Sequence, residues 1–325
     1  MLSYLQGDYL RIASIQAVEE AFLLSRKNVI GIGIGQKQRQ DKNTGQPCLQ
    51  VYVTYKQDAA QLAREQSIPP HLGGYLTDVV ETGAMFASGG IRPSFASPPP
   101  FSSTITSLRH RVRPVEGGFS IGHYQAKGGT MATAVIDASP MPGLIPRYYI
   151  LSNNHVLANA NNAAIGDPIL QPGPVDGGKL PADVVAHLSR FIPLHFDGRS
   201  NLVDAALAEG EFHELDREIH SIGYVRRVLP PQLAQRVQKT GRTTNHTTGE
   251  IIGINATLKV QYGRQRTAKM CRQIVTTKMS AGGDSGSLLC DMHGSAVGML
   301  CAVADKVTLY NDIRIVQEVL GIRLV

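Results

Sequence analysis

The 325-residue sequence predicts a mainly β protein, a β-sandwich or a pair of β-barrels, with a small α+β unit before it and a short helix at its end. Three observations predict this. Beyond residue 118 the chain breaks into short alternating or β-branched runs separated by turn residues, among them "TMATAVID", "YYILSNN", "DAALAEG", "TGEIIGIN", "CRQIVTT", "SGSLLCD" and "AVGMLCA". The composition has 33 glycines, 18 prolines and no tryptophan, which favours turns and short strands over long helices. Finally, residues 88–117 are rich in Ser, Pro and Gly and include Pro98–Pro100, the composition of a linker.

The elements follow in order. Residues 8–26 place Leu10, Ile12, Ile15, Val18, Phe22 and Leu23 mostly along one helical stripe. Residues 28–35, "NVIGIGIG", alternate apolar residue and glycine as a strand, and the polar turn "QDKNTGQP" leads into the β-branched "CLQVYVTYK", so the two predict a hairpin. The glycine spacing invites a dinucleotide-loop reading, but that loop needs a helix after its glycines and here a turn follows. A helix at about 58–66 and a strand at 77–81 complete an N-terminal α+β unit over residues 1–87, expected to be regulatory or to mediate oligomerisation. Residues 118–325 form the main unit, divided at about 118–212 and 220–325. At the end, "NDIRIVQEVLG" has apolar spacing of three to four residues, Asn311 as cap and Gly321 as stop.

Composition excludes several classes. Apolar content of 42% and charged content of 18% describe an ordinary folded chain, and no run is long enough to cross a bilayer as a helix. The net charge of +6 is modest, and the basic run Arg109–Arg113 lacks interleaved aromatics, so no specific nucleic-acid or membrane partner is expected. The four cysteines lie far apart with no zinc spacing, so no metal and no cofactor is expected. The N-terminus lacks the basic start and apolar core of a secretory leader, which points to the cytoplasm.

The chemistry concentrates at residues 280–290, "SAGGDSGSLLC". Nucleophilic catalysis by serine needs a hydroxyl on a tight turn, an imidazole to take its proton and a buried carboxylate to orient that imidazole. Ser285 meets the first demand: Gly283 and Gly286 allow the bend, and the N–H groups of Gly283 and Ser285 would converge on one oxyanion. His155 meets the second, at the end of a strand that breaks into Ser152–Asn154; among ten histidines His123 and His187 are its rivals. Asp204 meets the third as the odd charge within "LVDAALA", whereas Asp167, Asp176, Asp183 and Asp197 lie beside Pro or Gly as turn residues do. Taken singly, Asp204 reads as a strand-end residue and His155 as a satisfied histidine; the combination carries the chemistry.

These segments resemble the chymotrypsin-like serine peptidases. "GGDSGS" is similar to that family's nucleophile motif, "LSNNHVLA" to its histidine segment and "VDAALAE" to its aspartate segment, in the order His155, Asp204, Ser285. The 49-residue and 81-residue gaps suit one barrel carrying His and Asp and a second carrying Ser. Residues 285–302 resemble the short hairpin of HtrA-like members. "SIGHY…GGT", "VQKTGRTT…TTGEI" and "GGDSGSLL" are similar to a bacterial trypsin-like group related to plant narrow-leaf-type proteins. The resemblance implies a chymotrypsin-like double β-barrel and a homo-oligomeric intracellular peptidase acting on proteins or peptides. Ser287 departs from the glycine common at its position, and no secreted-type activation site precedes the barrels.

By the same resemblance, Met279 lies at the base of the first subsite and residues 299–302 (Met299, Leu300, Cys301, Ala302) line its wall. This apolar lining implies cleavage after small or medium apolar residues. Asp284 stands outside the triad as a loop-stabilising charge whose partner the sequence does not identify. A catalytically silent binding or scaffold protein and an esterase using the same three residues are the competing readings. The N-terminal unit is the place where a regulatory partner would bind.

Overall fold

Alternating apolar residues build two barrels that meet at the candidate site. The structure, a computed structural model, describes residues 4–40, 42–58, 62–63, 66–87, 107–139, 143, 146–263 and 265–324. The chain opens with α1 (Asp8–Leu24), β1 (Val29–Arg39), β2 (Lys42–Val53), β3 (Tyr75–Glu81) and β4 (Phe86–Ala87). The first barrel is built from β5 (Ser120–His123), β6 (Gly129–Thr130), β7 (Thr133–Asp137), β8 (Tyr148–Ser152), β9 (Pro168–Leu170), β10 (Val184–Phe191) and β11 (Ala206–Gly210). Its order is β7-β8-β11-β10-β9-β5-β6. The ring closes because β6 runs on into β7, with Met131 N–H donating to Phe119 O at 3.0 Å and Ala132 N–H to Leu151 O at 2.9 Å.

The second barrel contains β12 (Arg236–Gly241), β13 (Asn245–Tyr262), β14 (Arg266–Thr277), β15 (Leu288–Asp291), β16 (Ser295–Val303) and β17 (Val307–Asp312). These six close a ring in the order β12-β13-β14-β17-β16-β15, with β15 returning to β12. Helix α3 (Ile313–Leu320) follows directly. The architecture is thus the mainly β double barrel with a short C-terminal helix that the sequence predicts. Among the described residues no helix is long and apolar enough to cross a membrane.

The N-terminal strands extend the second barrel's sheet. β1 lies antiparallel to β13, with Gly31 opposite Leu258 and Ile34 opposite Ile254. β1 and β2 form the expected hairpin, and β3 adds parallel to β2. The glycine alternation in β1 has a packing cause: a Cβ at Gly31 would lie 2.5 Å from Thr257 O, and one at Gly35 would strike Gln50. β1 therefore lies closer to its neighbours than a side chain would allow.

Several expectations change. Leu10, Val18 and Phe22 of α1 are exposed, while Ile12, Ala13, Gln16 and Leu23 are buried. The helix carries apolar residues on more than one face. Its docking face buries Ile12, Ala13 and Leu23 in a core shared with β1, β2 and β13. Polar contacts add to it: Gln16 Nε2 donates to Asn255 O at 2.8 Å and Thr257 Oγ1 donates to Glu20 at 2.9 Å. The cap of α3 is Asp312, which accepts from Arg314 N–H, and not Asn311, which is held at the end of β17 by the site. Gly321 ends that helix with φ 64° as expected.

Of the expected helix at 58–66, residues 59–61, 64 and 65 lie outside the described residues, and Asp58, Leu62, Ala63 and Gln66 are not helical. Residues 88–106 of the expected linker also lie outside them. Residues 107–117 pack on the first barrel, with Leu108 and Val115 fully buried there. In the basic run, Arg111 pairs with Asp183 at 3.3 Å and Arg113 with Glu214 at 2.5 Å.

Candidate active site

β8 ends at Ser152, and the chain turns into a single helical turn, α2 (Asn154–Leu157), which fixes His155 within the first barrel. The segment is pinned by its asparagines: Asn153 Nδ2 donates to Asp204 O at 2.7 Å, and Asn154 Nδ2 to Ile192 O at 2.8 Å. Asp204 sits just before β11 and is fully buried. Asn311 clamps its backbone, accepting from Asp204 N–H at 3.1 Å and donating to Asp204 O at 3.2 Å.

The Asp204 carboxylate accepts from His155 Nδ1 at 2.5 Å, from the His155 backbone N–H at 3.2 Å and from the Tyr262 hydroxyl at 2.8 Å. Burial, reinforced by the adjacent carboxylate, pushes the Tyr262 phenol well above its usual range, so it stays a neutral donor. A proton on Nδ1 facing Asp204 leaves the lone pair on Nε2. That nitrogen is buried and has no hydrogen-bond partner among the described residues. The rivals differ. His123 uses both ring nitrogens, Nε2 with Asp167 at 3.0 Å and Nδ1 with Gln125 N–H at 3.2 Å. His187 is an exposed residue of β10.

Residues 281–287 form the turn that enters β15. Gly283 and Gly286 adopt φ values of 101° and 98°, which only glycine takes without strain. A Cβ at Gly286 would lie 2.2 Å from Ser152 Oγ, so the turn presses against the residue three before His155. Thr130 of the first barrel grips it from the same side, donating N–H to Ser285 O at 2.8 Å and Oγ1 to Gly283 O at 2.9 Å. The site is therefore assembled across the barrel junction.

The turn's amides divide into two sets. Those of Asp284, Gly286 and Ser287 donate to Ala281 O, Leu300 O and Asp284 O at 3.1, 2.9 and 3.0 Å. That of Ala281 donates to the Asp284 carboxylate, and those of Gly282, Gly283 and Ser285 have no acceptor among the described residues. Open backbone amides on a tight turn are groups able to accept an anion.

Asp284 finds the partner that the sequence left open. Its carboxylate accepts from Lys239 Nζ at 3.2 Å, and both side chains are fully buried. Thr243 N–H, Thr244 N–H, Thr244 Oγ1 and Ala281 N–H add bonds at 2.8, 3.2, 2.7 and 3.0 Å. Lys239 also donates to Thr244 Oγ1 and to Asn245 O. Burial pulls the Lys239 ammonium below its ordinary pKa, and Asp284 opposes that pull. Lys239 was missed in the sequence, yet a signal was present: it shares the inward face of β12 with Val237, two residues before it. Tyr262, Asn153 and Asn311 carried no such signal.

The expected subsite residues are dispersed. Met279 and Leu300 share one core, Met299 packs in the core between the barrels, and Cys301 and Ala302 belong to a third core with Tyr262. All five are buried, and Met279 Sδ would lie 2.8 Å from a Cβ at Gly249. All four cysteines are free, and burial pushes the thiols of Cys48 and Cys290 up to about 12. Among the described residues no cluster of three or more metal-ligating side chains occurs.

No protein-family profile matches the chain, and no curated protein matches its sequence. Solved structures similar to it include Thermobifida fusca Protease A and a Nocardiopsis protease, both at 16% identity and TM-score 0.45. The first covers 64% of this chain and 96% of its own, the second 64% and 97%. Cellulomonas bogoriensis chymotrypsin is similar at 16% identity and TM-score 0.44, over 65% of this chain and 98% of its own.

Proposed function

We propose that the protein is a serine endopeptidase in which His155, Asp204 and Ser285 form the catalytic triad. The observation that carries this reading is His155 itself. One ring nitrogen is bound to a buried carboxylate, and the other is buried without a partner among the described residues, while the glycine turn that bears Ser285 packs against Ser152, three residues before His155. In a satisfied structural histidine such as His123 both nitrogens are engaged.

In the proposed cycle, Nε2 of His155 takes the Ser285 proton as Oγ attacks a peptide carbonyl. Asp204 holds the ring and stabilises the imidazolium, with Tyr262 and the His155 amide fixing the carboxylate. The open amides of Gly283 and Ser285 receive the oxyanion. His155 then protonates the departing amine, and water repeats the sequence on the acyl-enzyme. Lys239 and Asp284 act as positioning residues that keep those amides in place. A preference for small or medium apolar side chains rests on the resemblance to chymotrypsin-like peptidases alone, since residues 279 and 299–302 are buried in three separate cores. The four free cysteines support a reducing, cytoplasmic setting.

The test is labelling with a fluorophosphonate probe together with turnover of a peptide library. Labelling of the intact chain that vanishes in Ser285→Ala, with cleavage after apolar residues, is the expected outcome. Labelling that persists in Ser285→Ala would assign the wrong serine, and a dominant Lys or Arg preference would overturn the specificity. Hydrolysis of small esters without peptide turnover would make the protein an esterase.

A further inference from the structure

Strand β16 leaves the turn of Ser285 with one edge unpaired by its barrel neighbour. β15 accompanies it only as far as Met299, opposite Leu288. Leu300 then exchanges bonds with the turn, donating to Ser287 O and accepting from Gly286 N–H, both at 2.9 Å. Beyond Leu300 the other edge stays with β17, where Val303 lies opposite Thr308. The edge that β15 has left is occupied at Val303 by Phe86 of β4, in antiparallel register.

The polarity of that contact matters. β16 runs away from Ser285 between Leu300 and Val303, a distance of about 10 Å at 3.3 Å per residue. A chain laid antiparallel on this edge therefore advances towards Ser285 in its own N-to-C direction. An extended peptide bound by strand addition would have to take this edge and this direction to bring a carbonyl to the serine. β4 has both.

β4 is also seated by more than that contact. Phe86 and Ala87 lie opposite Gln261 and Tyr262 of β13, and Gln261 N–H donates to Met85 O at 2.9 Å. Met85 and Ala87 are buried in the core that contains Cys301, Ala302 and Tyr262, whose hydroxyl holds Asp204. Yet the strand is only two residues long. Its upstream anchors are separate: Lys306 N–H donates to Thr82 O at 3.1 Å, and Lys306 pairs with Glu81 at 2.5 Å. Displacing residues 85–87 would leave the six-pair ladder of β3 with β2 intact.

We propose that β4 is a built-in pseudosubstrate: residues Phe86–Ala87 hold the strand edge on which an extended peptide would be carried to Ser285, and turnover of such peptides requires them to yield. The proposal rests on the peptidase reading of Ser285 and gives the N-terminal segment its regulatory role.

The test compares an extended fluorogenic peptide with a fluorophosphonate probe, which needs no strand pairing. In Ala87→Glu a carboxylate enters a fully buried apolar seat and expels β4. The peptide's kcat/KM should rise about tenfold, mainly through KM, the effect of one or two net hydrogen bonds, while labelling of Ser285 keeps its rate. In the double variant Phe86→Cys with Val303→Cys, which stand directly opposite, oxidation should suppress peptide turnover and reduction restore it, with labelling retained throughout. A peptide kcat/KM in Ala87→Glu equal to or below that of the native chain, with labelling intact, would overturn the proposal. So would full peptide turnover by the oxidised double variant, which decides the matter should Ala87→Glu fail to fold. Absence of labelling in the native chain and every variant would instead remove Ser285 as nucleophile, and the proposal with it.

Discussion

Two fully buried aspartates belong to the candidate site, one on the first barrel and one within the Ser285 turn itself, and they are satisfied in different ways. Asp204, on the first barrel, accepts three hydrogen bonds, two of them from His155. Asp284, on the second, accepts five, one from a buried ammonium and the rest from backbone and hydroxyl groups of two loops. The first carboxylate serves a group whose far nitrogen is left open. The second closes every valence around it and leaves nothing to react. Under the proposed mechanism the buried charge whose partner keeps a free valence serves the chemistry, and the one whose partner is itself saturated serves as scaffold.

The contrast is broken most severely at Asp204. Under the proposed mechanism, Asp204→Asn keeps the shape but offers an amide to His155 Nδ1, favouring the wrong tautomer. kcat should fall about 10⁴-fold, with a modest loss of stability: Oδ1 still accepts from the His155 backbone N–H, but Tyr262 shares Oδ2 with His155 Nδ1 and loses its acceptor when the amide nitrogen takes that place. Steady-state kinetics with thermal melts checks this. A variant of near-native activity would show that Asp204 does not orient the base.

At Asp284 the expected damage is to stability first. Lys239→Met strands a carboxylate with no exposure to water, and removing one partner of a buried pair costs about 3–5 kcal/mol. Denaturant unfolding should register that loss, and Lys239→Met combined with Asp284→Asn should recover much of it. The pair also predicts an alkaline limb. Because burial lowers the Lys239 pKa, the ammonium loses its proton before the ordinary lysine range is reached as pH rises. Asp284 is then left unpaired, and the Gly283 and Ser285 amides lose their support. Activity should fall reversibly there, and the limb should be absent from the charge-free double variant. An unchanged limb in that variant would assign the titration to another group.

Why some of this could be read from the sequence and some could not follows from range. Ser285, His155 and Asp204 each break a local pattern: a serine among glycines, a polar break after a strand, a charge in an apolar run. Their contacts lie far apart along the chain, but their oddity is local. Lys239 was legible in principle, since period-two alternation puts it on the face of Val237, and a lysine on an inward face demands a buried acid. β4 was not legible. Its two residues are held by register with Gln261, Tyr262 and Val303, more than 170 positions away, and no local periodicity encodes such pairing. The face of α1 was misread for a related reason: apolar residues on several faces leave the choice to long-range packing, in which Ile12 and Leu23 enter the core and Gln16 and Glu20 bond β13.

The smallest effect is expected at Tyr262, and it sharpens the comparison most finely. Among the described residues its hydroxyl gives the Asp204 carboxylate the one donor that does not come from His155. Tyr262→Phe keeps the ring, including its edge-on contact with His155 at 5.9 Å, and removes only that hydrogen bond. Asp204 is then less firmly oriented, but His155 still binds it. kcat should drop about tenfold, within the range of one hydrogen bond to a charged acceptor, with KM unchanged. A purely structural hydroxyl would lower the melting temperature and leave kcat of the folded protein alone. That outcome would place Tyr262 with the saturated scaffold around Asp284 and leave the orientation of Asp204 to His155 and the Asn311 clamp.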